Sequence, residues 1–144
     1  MSKSRSLLLL GGLLAVSVLL VACGGDDDDD VPTGPSTTVN AIVREFSIVP
    51  EITSAPAGDF AFDVNNRGPA LEHEFKVIRT DLAHDALPVI GDQVDEAAVD
   101  VVFAIEKFGA GRLGRTTLAA GSYVFICNVP THYEQGMSAA FTVE

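Results

Sequence analysis

From residue 39 onward the apolar positions fall in short stretches, many of them alternating with polar ones, and Gly, Pro, Asn and Asp separate the stretches. A period of two marks half-buried strands, and the breakers mark turns. The pattern predicts strands at residues 39–49, 59–65, 73–79, 101–108, 112–118, 122–126 and 139–143. Turns are expected at Pro50, Ala57-Gly58, Arg67-Gly68-Pro69, Gly109-Ala110-Gly111 and Ala120-Gly121. Several short strands at this spacing predict an all-β Greek-key β-sandwich. Residues 81–100 fit less well, with Leu82, Leu87, Val89, Ile90, Val94, Ala97 and Ala98 scattered among acids. They read as a long connection crossing the end of the barrel, with a short helix around residues 93–98.

The first 38 residues follow another logic. Lys3 and Arg5 precede an apolar run over residues 7–22, too short for a membrane span of about 20 residues and built like a targeting segment. The run ends in Leu20-Val21-Ala22-Cys23, which resembles the lipobox of bacterial lipoproteins. That resemblance implies that Cys23 is lipidated and becomes the first mature residue. A plain secretory signal with an incidental cysteine and an uncleaved anchor are the alternatives, and all three export the domain. Gly24-Gly25, the aspartates from Asp26 to Asp30, and then Pro32, Gly34, Pro35 and Ser36 have little to bury. Residues 23–38 therefore read as a tether that its own like charges extend. The expected division is a signal peptide at 1–22, a lipidated tether at 23–38 and one domain at 39–144, a common size for a single core.

Charge narrows the partners. The chain carries a net charge of −11, and loss of residues 1–22 leaves seven basic residues against twenty acidic ones, or −13. Nucleic-acid binding needs a basic face, so the charge disfavours it and no nucleic-acid partner is expected, while a basic protein partner suits the surface. The chain has two cysteines. With Cys23 taken by lipid, Cys127 becomes an unpaired thiol in an oxidising compartment, and metal ligation would protect it.

Cys127 opens the stretch that carries the chemistry. Tyr-Val-Phe-Ile-Cys-Asn-Val-Pro-Thr-His-Tyr-Glu-Gln-Gly-Met runs from Tyr123 to Met137 and contains the spacing Cys-x4-His-x4-Met. Thiolate, imidazole and thioether make a soft ligand set suited to copper, and thioether is a poor ligand for zinc. A second histidine is expected at His73, which shares one strand face with Phe75 and Val77 in Glu72-His73-Glu74-Phe75-Lys76-Val77. Taken singly, His73 reads rather as a core histidine bonded to backbone, and Cys127 and Met137 as core filling. His84, among Asp81 and Asp85, reads as a surface residue. The conjunction points to metal.

These two stretches resemble the type 1 copper motif of the cupredoxins, and the resemblance spans residues 39–144. The loop spacing is similar to that of the rusticyanin and sulfocyanin branches. The resemblance implies that His73, Cys127 and His132 are equatorial ligands to one copper ion and that Met137 is the weak axial ligand. It also implies that His132 lies near the surface within an apolar patch, as the electron exit, flanked by Val129, Pro130 and Tyr133. Pro130 limits loop freedom, and Gly136 can take a backbone conformation closed to other residues.

The expected role is a membrane-tethered extracytoplasmic carrier of single electrons, on the periplasmic side or the cell surface. A monomer is expected, exchanging electrons with a redox protein such as a cytochrome with a basic face. Copper delivery or storage is the alternative, against which the chain has only Met1 and Met137 as methionines and three histidines in all. It does not read as an enzyme, since Cys127 and His132 lack a recognisable oxyanion device or orienting acid. Two residues depart from the family pattern: Glu74 stands where many members have Asn or Ser to hold the Cys loop, and Thr131 where close members often have Gly. Both are expected to tune the potential.

Overall fold

The computed structural model describes residues 36–68 and 72–144. The signal segment, Cys23, nearly all of the tether and Pro69 of the third predicted turn lie outside the described residues. Eleven strands follow in order: β1 Thr37–Arg44, β2 Ser47–Pro50, β3 Ser54–Ala55, β4 Gly58–Asn66, β5 His73–Arg79, β6 Val89–Ile90, β7 Gln93–Val94, β8 Asp100–Phe108, β9 Arg112–Leu118, β10 Gly121–Ile126 and β11 Ser138–Val143. One sheet has the order β2-β1-β4-β9 and the other β3-β11-β10-β5-β8, with β6 and β7 forming a small hairpin. β1 runs parallel to β4, and β3 parallel to β11. The other pairings are antiparallel. This is a cupredoxin-like Greek-key β-sandwich. No helix among the described residues is long and apolar enough to cross a membrane.

Period-two alternation explains where the core sits. Val39, Ala41 and Val43 of β1, Phe60, Phe62 and Val64 of β4, Phe75 and Val77 of β5, and Tyr123 and Phe125 of β10 are all buried in one cluster. Phenylalanine rings knit the two sheets together. Phe62 meets Phe75 at 5.4 Å and Phe125 edge-on at 5.5 Å, while Phe125 stacks on Phe141 at 4.9 Å. Such contacts add roughly 0.5–1.5 kcal/mol each beyond area burial.

Two expectations need correction. Residues 39–49 form two antiparallel strands, β1 and β2, turning at Glu45 and Phe46. The buried positions change parity there, from Val43 to Ile48, because the chain folds back on itself. The connection at 81–100 contributes a hairpin and a one-turn 3-10 helix, Glu96–Ala98, capped by the Asp95 carboxylate. Rather than crossing the barrel end, it packs on the β5 and β10 face turned away from the main core. There Leu87 and Val94 join Ile78, Val124, Ile126 and Tyr133 in a second buried cluster.

That cover also buries charge. Glu74 and Lys76, on the outward face of β5, are 8 % and 6 % exposed. The Lys76 ammonium lies 3.0 Å from Glu96 and 3.6 Å from both Glu74 and Glu106. Burial alone lowers the Lys76 pKa, but the Glu96 hydrogen bond and the surrounding carboxylates more than offset it, so the net shift is upward. Removing one partner from such a group leaves a charge poorly compensated.

Candidate metal centre

Four elements converge at one end of the sandwich. His73 begins β5, Cys127 follows the last residue of β10, and Met137 immediately precedes β11. β10 lies between β5 and β11 in its sheet, so their ends meet without any long-range coincidence. His132 comes from the loop between β10 and β11. The Cys127 N–H donates to the Met137 carbonyl at 3.1 Å, and the Met137 N–H donates to the His132 carbonyl at 3.0 Å. Short-range bonds tighten the loop further: His132 to Val129, Gln135 to Thr131 and Gly136 to Tyr133. Gly136 has φ 97°, in the region that favours glycine.

The cluster itself is small and dry. One ligand atom each from His73, Cys127 and His132 lies within 4.8 Å of the others, and all three residues are buried. Nδ1 of His132 is 3.4 Å and Nδ1 of His73 is 3.8 Å from Cys127 Sγ, so both rings aim the same nitrogen at the sulfur. The ring centroids of the two histidines are 5.2 Å apart. The Glu74 N–H donates to the sulfur at 3.3 Å. Met137 is also fully buried. Imidazole and thiol donors in this arrangement fit a soft late transition metal.

Burial favours the uncharged form of each donor. Burial pushes the Cys127 thiol above its usual range, against weaker stabilisation of the thiolate by the N–H groups of Glu74 and Val129. Burial lowers His73, with His132 lowering it further and the Glu45 carboxylate opposing. Burial likewise lowers His132, again opposed by Glu45. Neutral imidazoles are ready ligands, while the thiol must lose its proton to bind.

The surroundings differ from expectation at Tyr133 and hold two features that the sequence did not reveal. Tyr133, expected beside His132 at the surface, is 6 % exposed and packs in the second cluster, because its hydroxyl accepts the Leu87 N–H at 2.8 Å. Val129 is half-buried and Pro130 exposed. Glu74 does not reach the loop with its side chain, and Asn128 makes that tie instead. Its carboxamide accepts the Val94 N–H at 2.7 Å and donates to the Val94 carbonyl at 3.2 Å and to Glu96 at 2.6 Å. Sequence reasoning passed over Asn128, although a polar residue continuing a buried strand must find partners. It also missed the turn at Glu45 and Phe46, which sets Phe46 edge-on against His132 at 5.1 Å. His84 is exposed, with Nδ1 2.9 Å from the Ser138 hydroxyl.

No family model matches the chain, and no curated protein does. Among solved structures it is similar to rusticyanin from Thiobacillus ferrooxidans, with TM-score 0.56 and 16 % identity over 78 % of this chain and 79 % of that one. Reduced rusticyanin gives the same score and identity, over 78 % of this chain and 81 % of that one. Dithionite-reduced auracyanin from the photosynthetic bacterium Roseiflexus castenholzii aligns with TM-score 0.55 and 22 % identity, over 77 % of this chain and 99 % of that one. The chain thus has the cupredoxin fold, with a buried His-Cys-His cluster held between the ends of β5 and β10 and the loop that leads to β11.

Proposed function

We propose that this protein is a type 1 copper protein that passes single electrons between extracytoplasmic redox partners. The observation that carries the reading is the convergence of His73 Nδ1, His132 Nδ1 and Cys127 Sγ in a buried cluster. His73, Cys127 and His132 would be the strong ligands, and buried Met137 would supply a weaker fourth. Bound copper supplies a reversible one-electron couple. The protein's own contribution is to hold the ligands: the bonds joining Cys127, Met137 and His132 fix the loop, and the Glu74 N–H orients the sulfur. Ligands that move little between oxidation states keep electron transfer fast.

His132 keeps 4 % of its surface exposed, whereas His73, Cys127 and Met137 keep none. That favours His132 as the electron exit, with Pro130 and half-buried Val129 at its rim. Burial of the whole set also speaks against copper delivery, which requires ligands an acceptor can reach. The neighbours in fold support the redox reading, since rusticyanin is a copper protein and has been solved reduced. Export as a lipoprotein anchored through Cys23, with residues 23–38 as tether, completes the proposal. A basic cytochrome is the partner that suits the acidic chain.

The test is optical. The copper-loaded full chain should show an intense thiolate-to-Cu(II) band toward the red end of the visible spectrum, and a colourless Cu(II) complex would sink the reading. Cys127→Ser should abolish the band, while Met137→Ala should keep copper and shift the reduction potential. Mass spectrometry of the membrane-extracted protein should find Cys23 as a lipidated first residue.

A further inference from the structure

We propose that Glu45 is a positioning residue of the metal centre, whose carboxylate accepts a hydrogen bond from Nε2–H of His73 and favours the higher oxidation state of the bound metal. The inference rests on the copper reading above. A neutral imidazole carries one N–H, so committing Nδ1 of His73 to a metal puts the hydrogen on Nε2. His73 Nε2 is buried and has no hydrogen-bond partner among the described residues, and the same is true of Glu45 Oε1. The two atoms lie 3.7 Å apart. Each is the group that would satisfy the other, and leaving both unpaired is costly. A small closing movement completes a carboxylate–histidine–metal arrangement, in which the outer partner fixes the ring and raises its basicity.

The chain makes room for this carboxylate. A Cβ on Gly68 would stand 2.5 Å from Oε2, 2.6 Å from Oε1 and 2.9 Å from Cδ of Glu45. Gly68 is held by its N–H to the Asn66 side chain at 2.9 Å, and the preceding Arg67 N–H is bonded to the Val43 carbonyl of β1. The β1–β2 turn thus serves both histidines, with Glu45 at His73 and Phe46 at His132. The charge has a defined sign of effect. A nearby anion stabilises Cu(II) more than Cu(I), so it lowers the reduction potential.

The experiment compares copper-loaded full-length protein with Glu45→Gln, Glu45→Leu and Gly68→Ala. Glu45→Gln keeps an acceptor and removes the charge. It should shift the ratio of Cu(II) to Cu(I) dissociation constants about tenfold toward Cu(I), or ~59 mV upward for a one-electron couple. Glu45→Leu should raise the potential and also weaken Cu(II) binding by about 10–100-fold. Gly68→Ala leaves the charge in the chain but displaces the carboxylate, and should raise the potential by a smaller amount. NMR of the Cu(I) form should show a slowly exchanging Nε2 proton on His73, and Glu45→Leu should make it exchange rapidly. Coloured variants with less than a twofold change in the ratio and an unchanged Nε2 proton would overturn the role of Glu45 alone. A colourless unsubstituted protein would overturn the copper reading together with it.

Discussion

Thr131 has φ 70°, in the left-handed region where a Cβ is unfavourable and a branched one more so. Its N–H is bonded to the Asp92 carbonyl and its own carbonyl accepts from Gln135, so the loop enforces the conformation. Glycine would take this conformation without strain. Thr131→Gly should stabilise the metal-free protein by about 1 kcal/mol in denaturant unfolding, relief of strain outweighing the extra unfolded-state entropy. At this scale the sequence was partly legible. Residue types and spacing drew attention to His73, Cys127 and His132, which the fold brings together. Glu45 stayed hidden because its role depends on a turn, on the space left at Gly68 and on where His73 Nε2 points, none of which leaves a local motif.

At the scale of elements, strands β5 and β9 lie where alternation put them, and β4, β8, β10 and β11 extend the expected bounds by one residue at one or both ends. The break between β1 and β2 is recorded in the chain as a parity slip, Val39, Ala41 and Val43 on odd positions and Ile48 on an even one. A continuous-strand reading averages over it. The 81–100 segment was harder, since its apolar residues cover another sheet instead of repeating along one face. Its grip on the loop between β10 and β11 runs through Asn128, Gln93 and the Asp92 carbonyl. Asn128→Ala would leave the buried Val94 N–H without its acceptor, so we expect a loss of about 1–3 kcal/mol. Faster amide exchange at Val94 and at Met137, in the copper-loaded protein, checks that the loss travels into the ligand loop.

For the molecule as a whole, the buried histidines set the acid response. His73 and His132 have folded pKa values below the usual 6.5. The unfolded chain therefore binds protons that the fold refuses, and the metal-free protein should lose stability as pH falls through 6.5. Each histidine contributes at most ~1.4 kcal/mol per pH unit until its folded value is passed. Glu74 acts in the opposite sense, because burial, partly offset by Lys76, raises its carboxyl. Thermal melts between pH 7.5 and about 5, with Glu74→Gln as the control that removes the opposing group, should show the decline. Bound copper should move it to lower pH, since ligated imidazoles do not take up protons. The overall acidic balance was plain from composition, whereas the second buried cluster was not, being a product of which face the long connection covers.

The covering segment has a consequence for anyone who moves this site. The loop between β10 and β11 is bonded to itself, to Asp92, Gln93 and Val94, and through Tyr133 to Leu87. Cut out at residues 127–137 and grafted onto another sandwich, it would arrive with half of its fastenings missing. The transferable cassette is discontinuous, the loop together with residues 87–96, and a chimera carrying only the loop should inherit the ligands but lose their rigidity.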